Sequence, residues 1–154
     1  MSAMSASDEQ YFIDLSAEDY RAAFTEVAFL VDAFARAIDN IMGGVTAPVG
    51  RIAGRDLARK LPVHLPDPDL ESVAELLAQR MKGGFEFSLE GRQLSFGRCV
   101  VRDVCALRGM ESGGALCRLF HAYLDGVMDG LTYRPVKSGI VSTGTSCIVE
   151  LETI

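Results

Sequence analysis

The residues best suited to chemistry are cysteines and a histidine in the C-terminal half of the chain. Cys117 and His121 are four residues apart, so they share one side of a helix. With Cys99 and Cys105 they form the pattern Cys-x5-Cys-x11-Cys-x3-His, and Cys147 is a further candidate ligand. Sulfur and imidazole donors suit tetrahedral zinc or an iron–sulfur centre. One hypothesis is therefore a metal or redox protein.

The same residues have a simpler interpretation. The pattern contains no Cys-x2-Cys pair, which is the spacing typical of zinc sites. Buried cysteines often behave as small apolar residues, and His121 can be a satisfied interface residue. Asp125, four residues after His121, is placed to orient the imidazole, as carboxylates do for metal-bound histidines. Packing and metal binding both remain open at this point.

Catalytic machinery is not predicted. The chain has only two histidines, His64 and His121, and it has no Gly-x-Ser-x-Gly elbow. Neither a Gly-x4-Gly-Lys-Ser/Thr loop nor a Gly-x-Gly-x-x-Gly turn after a strand is present. The helix-spaced pair Asp125 and Asp129 is more typical of a solvated edge than of an acid–base pair. We therefore expect a binding module rather than an enzyme.

Composition narrows the class of protein further. With 154 residues, 49% of them apolar, one domain with a full core is expected, over residues 13–154 after a flexible N-terminus at 1–12. The net charge of −6 argues against binding nucleic acid or anionic lipid. No apolar run approaches the roughly 20 residues of a membrane span, and Met1–Gln10 does not resemble a secretory signal. We expect a cytoplasmic protein whose cysteines are thiols or metal ligands.

The first element that positions these residues is a long helix that Ser16 can cap and that Gly43 and Gly44 end. Its apolar residues recur at spacings of three and four, and they are Tyr20, Phe24, Val27, Ala28, Val31, Phe34, Ala35 and Ile38. So broad an apolar stripe predicts contacts on two sides. The second contact is either a sheet or a second copy of the chain, and we expect a C2 homodimer.

Further helices and strands follow from the same patterns. Gly50 and Gly54 share one face of the second helix, which predicts close helix packing or, alternatively, ligand contact. The predicted elements are helices from Ala47 to Leu61, from an Asp67 cap to Gly83 and from Ala115 to Leu131, a hairpin over 85–96, an ambiguous segment over 99–107, and strands over 136–141 and 146–151. This order predicts an α+β fold with helices on one side of a small antiparallel sheet.

The stretch "GALCRLFHAYLDGVMDGLTYRPVKSGIVSTGTSCIVELE" resembles the 4-vinyl reductase domain, also described as a hydrocarbon-binding or small-molecule-binding domain. Cys117, Ala122, Gly126, Gly144 and Cys147 match the layout of that family. The earlier "GGVTAPVGRIAGRDLARKL" is similar to the family's glycine-bearing helix, so the resemblance covers roughly residues 30 to 153. It implies a fold like that of subunits of the TRAPP vesicle-tethering complex, which commonly dimerise, and an apolar ligand cavity.

The resemblance also bears on metal binding. Many members bind zinc through a Cys before the helix, an acidic residue, a middle Cys and a last Cys. This chain keeps Cys117 and Cys147, but 137–141 offers neither a Cys nor a carboxylate, so zinc is either absent or bound with help from Cys99, Cys105 or His121. The sequence contains no flavin-binding or nicotinamide-binding signature, so the family name does not by itself predict reductase activity.

These observations give one leading hypothesis and two alternatives. The leading hypothesis is a non-catalytic domain that binds an apolar small molecule (aromatic, hydrocarbon or tetrapyrrole-like) and acts as a sensor, carrier or assembly factor. The first alternative is a zinc or iron–sulfur protein that uses Cys99, Cys105, Cys117 and His121. The second is a protein–protein adaptor that docks through its first helix.

Overall fold

The computed structural model describes residues 15–63, 65–66, 68–144 and 146–153. The predicted flexible N-terminus at 1–12, His64 and Asp67 lie outside these residues. In chain order the described elements are α1 (Ala17–Ile41), α2 (Ala47–Lys60), α3 (Leu70–Arg80), β1 (Phe85–Glu90), β2 (Gln93–Cys99), α4 (Val100–Leu107), α5 (Ala115–Thr132), β3 (Val136–Ser142) and β4 (Cys147–Thr153). The predicted α+β fold is confirmed.

Local signals set the helix boundaries. Ser16 Oγ accepts a hydrogen bond from the Asp19 amide at 3.1 Å, and Asp19 Oδ2 accepts one from the Ser16 amide at 3.0 Å. This reciprocal capping satisfies two amides that the first turn of α1 would otherwise leave free. After α1, Gly43 and Gly44 have φ values of 64° and 88°, a left-handed conformation that suits glycine and ends the helix. Both ends of α1 lie where the sequence predicts them.

The structure also shows where the third helix begins and how the ambiguous segment over 99–107 is divided. The prediction that Asp67 caps the third helix is wrong: the helix begins at Leu70, and its N-cap is Asp69, which accepts a hydrogen bond from the Ser72 amide at 2.7 Å. The ambiguous segment divides at Cys99, which ends β2 before α4 begins. Val100 donates its amide to the Gly84 carbonyl at 2.9 Å, which ties the start of α4 to the chain just before β1.

The four strands form one antiparallel sheet in the order β1-β2-β4-β3. Inward-facing side chains alternate with exposed ones, so one face of the sheet is covered. Leu94, Phe96, Val149 and Leu151 of that face are buried with residues of α3 and α5, such as Leu77 and Leu124. Helices therefore pack on one side of the sheet, as predicted. No helix in the described part of the chain has the length and apolar character needed to cross a membrane.

The first helix buries fewer of its apolar residues than the sequence predicts. Its buried residues are the small Ala28 and Ala35 together with Asp32, which face Cys105 and Leu116 of α4 and α5. Asp32 is paired with Arg36 at 3.0 Å and Arg108 at 3.2 Å. The large apolar members of the predicted stripe are mostly exposed instead, as described below. The packed face of α1 is thus narrower and smaller than the stripe suggests.

The helices α2 and α5 touch backbone to backbone. A Cβ atom added at Gly54 would overlap the Tyr123 carbonyl oxygen, and one at Gly126 would overlap the Arg51 carbonyl oxygen. Gly50 faces Ala122 and Gly130 faces Ala58 in the same way, each at 2.6 Å from an added Cβ to the alanine Cβ. We call this contact the glycine seam. It is the close packing that Gly50 and Gly54 predict.

Candidate functional site

A cavity of about 450 Å³ lies where the N-terminal end of α2, the middle of α5 and strand β3 meet. The glycine seam brings the first turn of α2 against α5, and the sheet places β3 on the other side. The walls are mostly apolar, and the lining residues are Gly44, Val45, Thr46, Ala47, Arg51, Gly113, Arg118, His121, Ala122, Asp125, Lys137, Ser138, Gly139 and Ile140. Both the volume and the mixture of apolar walls with a few polar groups are typical of small-molecule sites.

His121 and Asp125 are the most buried polar residues of this cavity apart from Thr46. Their exposed fractions are 8% and 4%. The His121 ring packs edge-on against Phe96 and Phe120, with centroid distances of 5.5 and 5.2 Å. Asp125 Oδ2 accepts a hydrogen bond from the Ser138 amide of β3 at 3.0 Å and lies 3.7 Å from Arg51 Nη2. Strand, helix and aromatic core therefore fix both side chains.

Each of these residues has one buried atom without a hydrogen-bond partner among the described residues. The atoms are His121 Nδ1 and Asp125 Oδ1. No hydrogen bond joins the two side chains within the described structure, so the prediction that Asp125 orients the His121 imidazole is wrong; Asp125 is held by Ser138 instead. An unsatisfied buried polar atom costs about 1–3 kcal/mol, which is why such atoms usually have a partner.

Burial shifts the ionisation of both groups. Burial lowers the pKa of His121 to about 4, so the imidazole is neutral at pH 7. Burial also raises the pKa of Asp125, while hydrogen bonds from Ser138 and the charge of Arg51 oppose that shift. The cavity is thus lined by a neutral imidazole and by a carboxyl group that is poorly solvated.

Three positively charged side chains line the same cavity, and they differ in exposure and in hydrogen-bond partners. Arg118 is occupied, because it donates to the Gly44 carbonyl at 2.9 Å and lies 3.3 Å from Asp39 Oδ1. Lys137 extends from β3 and is exposed. The Arg51 side chain is 22% exposed, and its closest charged partner within the described residues is Asp125 at 3.7 Å, which is too long for a hydrogen bond. Arg51 therefore keeps donor capacity for another group.

The thiols gather on the other side of His121. Cys99, Cys117, Cys147 and His121 line a second, much smaller cavity of about 10 Å³, the size of one water molecule. Cys105 does not line it, but its Sγ lies 3.9 Å from Cys117 Sγ. All four cysteines are free and buried. The structure therefore brings together the candidate ligands that are scattered along the sequence.

The thiols are not arranged as a finished metal site. Across the described ranges, no three His, Cys, Asp or Glu side chains form a group that could hold a metal ion. Burial raises the pKa of Cys99, and the neighbouring Cys117 and Cys147 raise it further. Burial and the adjacent Cys117 raise the pKa of Cys105 to about 12. The protonated thiol is thus the favoured form of Cys99 and of Cys105 at neutral pH.

Sequence reasoning missed two residues of the larger cavity. Arg51 and Ser138 meet Asp125 from elements that lie 74 and 13 residues away from it along the chain, and no short motif reports such contacts. The one available signal was the spacing of Arg51 and Arg55 on α2, which matches that of Asp125 and Asp129 on α5. That spacing places both pairs along the same helix contact.

Comparison with known proteins gives no family assignment. A scan against protein-family models finds no match, and a search of curated proteins finds none either.

Proposed function

We propose that this chain is a non-catalytic binding domain for a small, largely apolar molecule, held in the cavity between α2, α5 and β3. The ligand class is that of aromatic, hydrocarbon or tetrapyrrole-like compounds, and the domain acts as a sensor, carrier or assembly factor in the cytoplasm. One observation carries the proposal: a cavity of about 450 Å³ with mostly apolar walls is lined by His121 and Asp125, each of which has one buried polar atom without a partner among the described residues. Mostly apolar walls with a few polar groups are the lining that sites for small, largely apolar molecules use.

The test narrows the cavity without touching its buried contacts. Ala47 lines the cavity and is exposed, so Ala47→Trp places a large ring at the mouth. Ala53 is exposed on the same helix and lines none of the described cavities, so Ala53→Trp is the matched control. Ligand-observed NMR with benzyl alcohol and benzamide as probes should show binding to the wild type and to Ala53→Trp, and loss of binding to Ala47→Trp. Equal binding to all three proteins would refute the proposal.

A metal or redox protein is the second candidate. The observation that favours it is the shared cavity of Cys99, Cys117, Cys147 and His121, whose sulfur and nitrogen donors are those that zinc and iron–sulfur centres use. Because the side chains do not converge on one point, metal binding requires them to move together. Elemental analysis and visible absorbance of the purified protein should then show zinc or iron. Cys147→Ala should abolish it, while Cys105→Ala, outside the cavity, should not.

The exposed face of α1 supports a proposal about partners. The large apolar residues of this face are 38–61% exposed and span about 21 Å of the helix; they are Tyr20, Phe24, Val27, Leu30, Val31 and Phe34. Apolar patches of this extent usually mark an interface. We propose that a second copy of the chain covers it in a C2 homodimer. A different protein bound there would make the domain an adaptor.

Sedimentation equilibrium distinguishes these arrangements. The wild type should be a dimer at tens of micromolar protein, and Phe34→Glu should be a monomer, because the introduced charge would be buried against an apolar surface. Val141→Glu, at a residue 58% exposed on β3, is the control and should stay dimeric. A monomeric wild type would exclude the homodimer and favour the adaptor.

A further inference from the structure

Arg51 and Asp125 both line the cavity, and each has hydrogen-bonding capacity that no described residue uses. Asp125 Oδ1 is a buried acceptor without a donor among the described residues. Arg51 Nη2 lies 3.7 Å from Asp125 Oδ2 and is a donor without a close acceptor in that part of the chain. A guanidinium offers five N–H donors and no acceptor, whereas an ionised carboxylate only accepts. The two side chains form an ion pair at 3.7 Å that contains no hydrogen bond.

We propose that the ligand enters this site with an amide-type group, in which an N–H and a C=O stand side by side, as in a primary carboxamide, lactam or imide. The N–H donates to Asp125 and the C=O accepts from Arg51. The inference rests on the proposed small-molecule function and adds the chemical class of the ligand's polar end.

The charges favour a neutral polar group over an ionic one. Arg51 and Asp125 carry opposite charges and both are mostly buried, with side chains 22% and 5% exposed. A carboxylate drawn to Arg51 would be repelled by Asp125, and an ammonium drawn to Asp125 would be repelled by Arg51. Arg118 adds little, because Asp39 already offsets it, and Lys137 is exposed to solvent. An amide makes both hydrogen bonds and meets no repulsion.

Three probes with the same ring separate these possibilities. Benzamide, benzoate and benzylamine differ only in the polar group, and their dissociation constants can be measured by NMR titration at pH 7. We expect benzamide to bind about tenfold more tightly than either ion, which corresponds to about 1.4 kcal/mol. Benzoate or benzylamine binding as tightly as benzamide would overturn the inference and leave the proposed function standing. No binding by any probe at millimolar concentration would overturn both.

Variants of the two residues should change the preference in opposite directions. Asp125→Asn removes the negative charge, so binding of benzoate should strengthen relative to benzamide. Arg51→Gln removes the positive charge, so benzylamine should gain instead. Asp129→Asn and Arg55→Gln, one turn further along the same helices and outside the cavity, should leave the wild-type order unchanged. If the cavity variants and the control variants shift the three constants alike, Arg51 and Asp125 do not select the ligand.

Discussion

Two arginine–aspartate pairs join α2 to α5 one helical turn apart, and their geometry differs. Arg55 donates to Asp129 Oδ2 twice, from Nε at 3.0 Å and from Nη2 at 2.7 Å. Arg51 reaches only to 3.7 Å from Asp125 Oδ2, and Asp125 Oδ1 has no partner among the described residues. The same residue types on the same two helices therefore form one closed pair and one open pair.

The surroundings explain the difference. The Arg55 and Asp129 side chains are 49% and 15% exposed and lie 2.7 Å apart. Asp125 is only 5% exposed at its side chain, and the β3 amide of Ser138 already occupies its Oδ2. The cavity lies beside this second pair and not beside the first. A closed pair contributes to holding the helices together, whereas an open pair keeps its hydrogen-bonding capacity for a third group.

The largest effect is expected from a substitution that separates α2 from α5, the two helices that carry both pairs. Gly54→Leu would place side-chain atoms into the Tyr123 carbonyl and the α5 backbone, which cannot move without shifting the helix. We expect a loss of about 3 kcal/mol or more in the free energy of unfolding, at the upper end for an overpacked contact. Urea unfolding followed by circular dichroism measures it.

The control for that variant lies one residue earlier. Ala53 is exposed on the same helix, so Ala53→Leu should change the unfolding free energy by less than about 0.5 kcal/mol. If Gly54→Leu were as stable as Ala53→Leu, the helices would not be in backbone contact and the shared spacing of the two pairs would lose its meaning.

A smaller effect distinguishes the pairs from each other. Asp129→Asn breaks the closed pair and should lower the free energy of unfolding by about 0.5–1 kcal/mol, the range for partly exposed ion pairs. Because burial raises the pKa of Asp125, this group lowers the stability of the wild type at pH 7, so Asp125→Asn should be at least as stable in the absence of ligand. Urea unfolding of both variants checks this order, and the reverse order would show that Asp125 is the better-paired residue.

The smallest effect is a pH dependence of the open pair. Because burial raises the pKa of Asp125 in the folded state, the wild type loses stability as the pH rises from the unfolded value of 3.8, and the loss is complete above the raised pKa. The stability difference between Asp125→Asn and the wild type should therefore be constant above the raised pKa and shrink as the pH falls through it towards 3.8. Asp129→Asn, which removes the same charge one turn away, is measured in parallel. A difference for Asp125→Asn that is constant with pH would contradict the assigned burial effect.

Local sequence signals were enough for most of the fold. Ser16 and Asp19 marked the start of α1, and the alternation of Phe85, Phe87 and Leu89 marked β1, because capping and strand burial involve neighbouring residues. Gly50 and Gly54 indicated close packing, because a helix accepts bare glycines where another backbone approaches. The α+β class follows from the order of these elements.

Long-range contacts limited the prediction of the site. Cys99, Cys117 and Cys147 were identified by residue type, but their spacing could not show that they line one small cavity. Asp125 was assigned to His121 because both lie on one helix, whereas its hydrogen bond comes from β3. In α1, periodicity placed Phe34 and Ala35 in one stripe, and only the neighbouring helices determine that Ala35 is buried and Phe34 is exposed.

The glycine seam has a consequence for the entropy of ligand binding. Where two helices meet backbone to backbone, no layer of side chains lies between them to repack, so Thr46, Ala47 and Arg51 are held against α5 before any ligand arrives. Binding to a preorganised wall avoids much of the loss of conformational freedom that a mobile loop would suffer. The affinity of the cavity should thus depend on α2 residues that never contact the ligand, Gly54 above all.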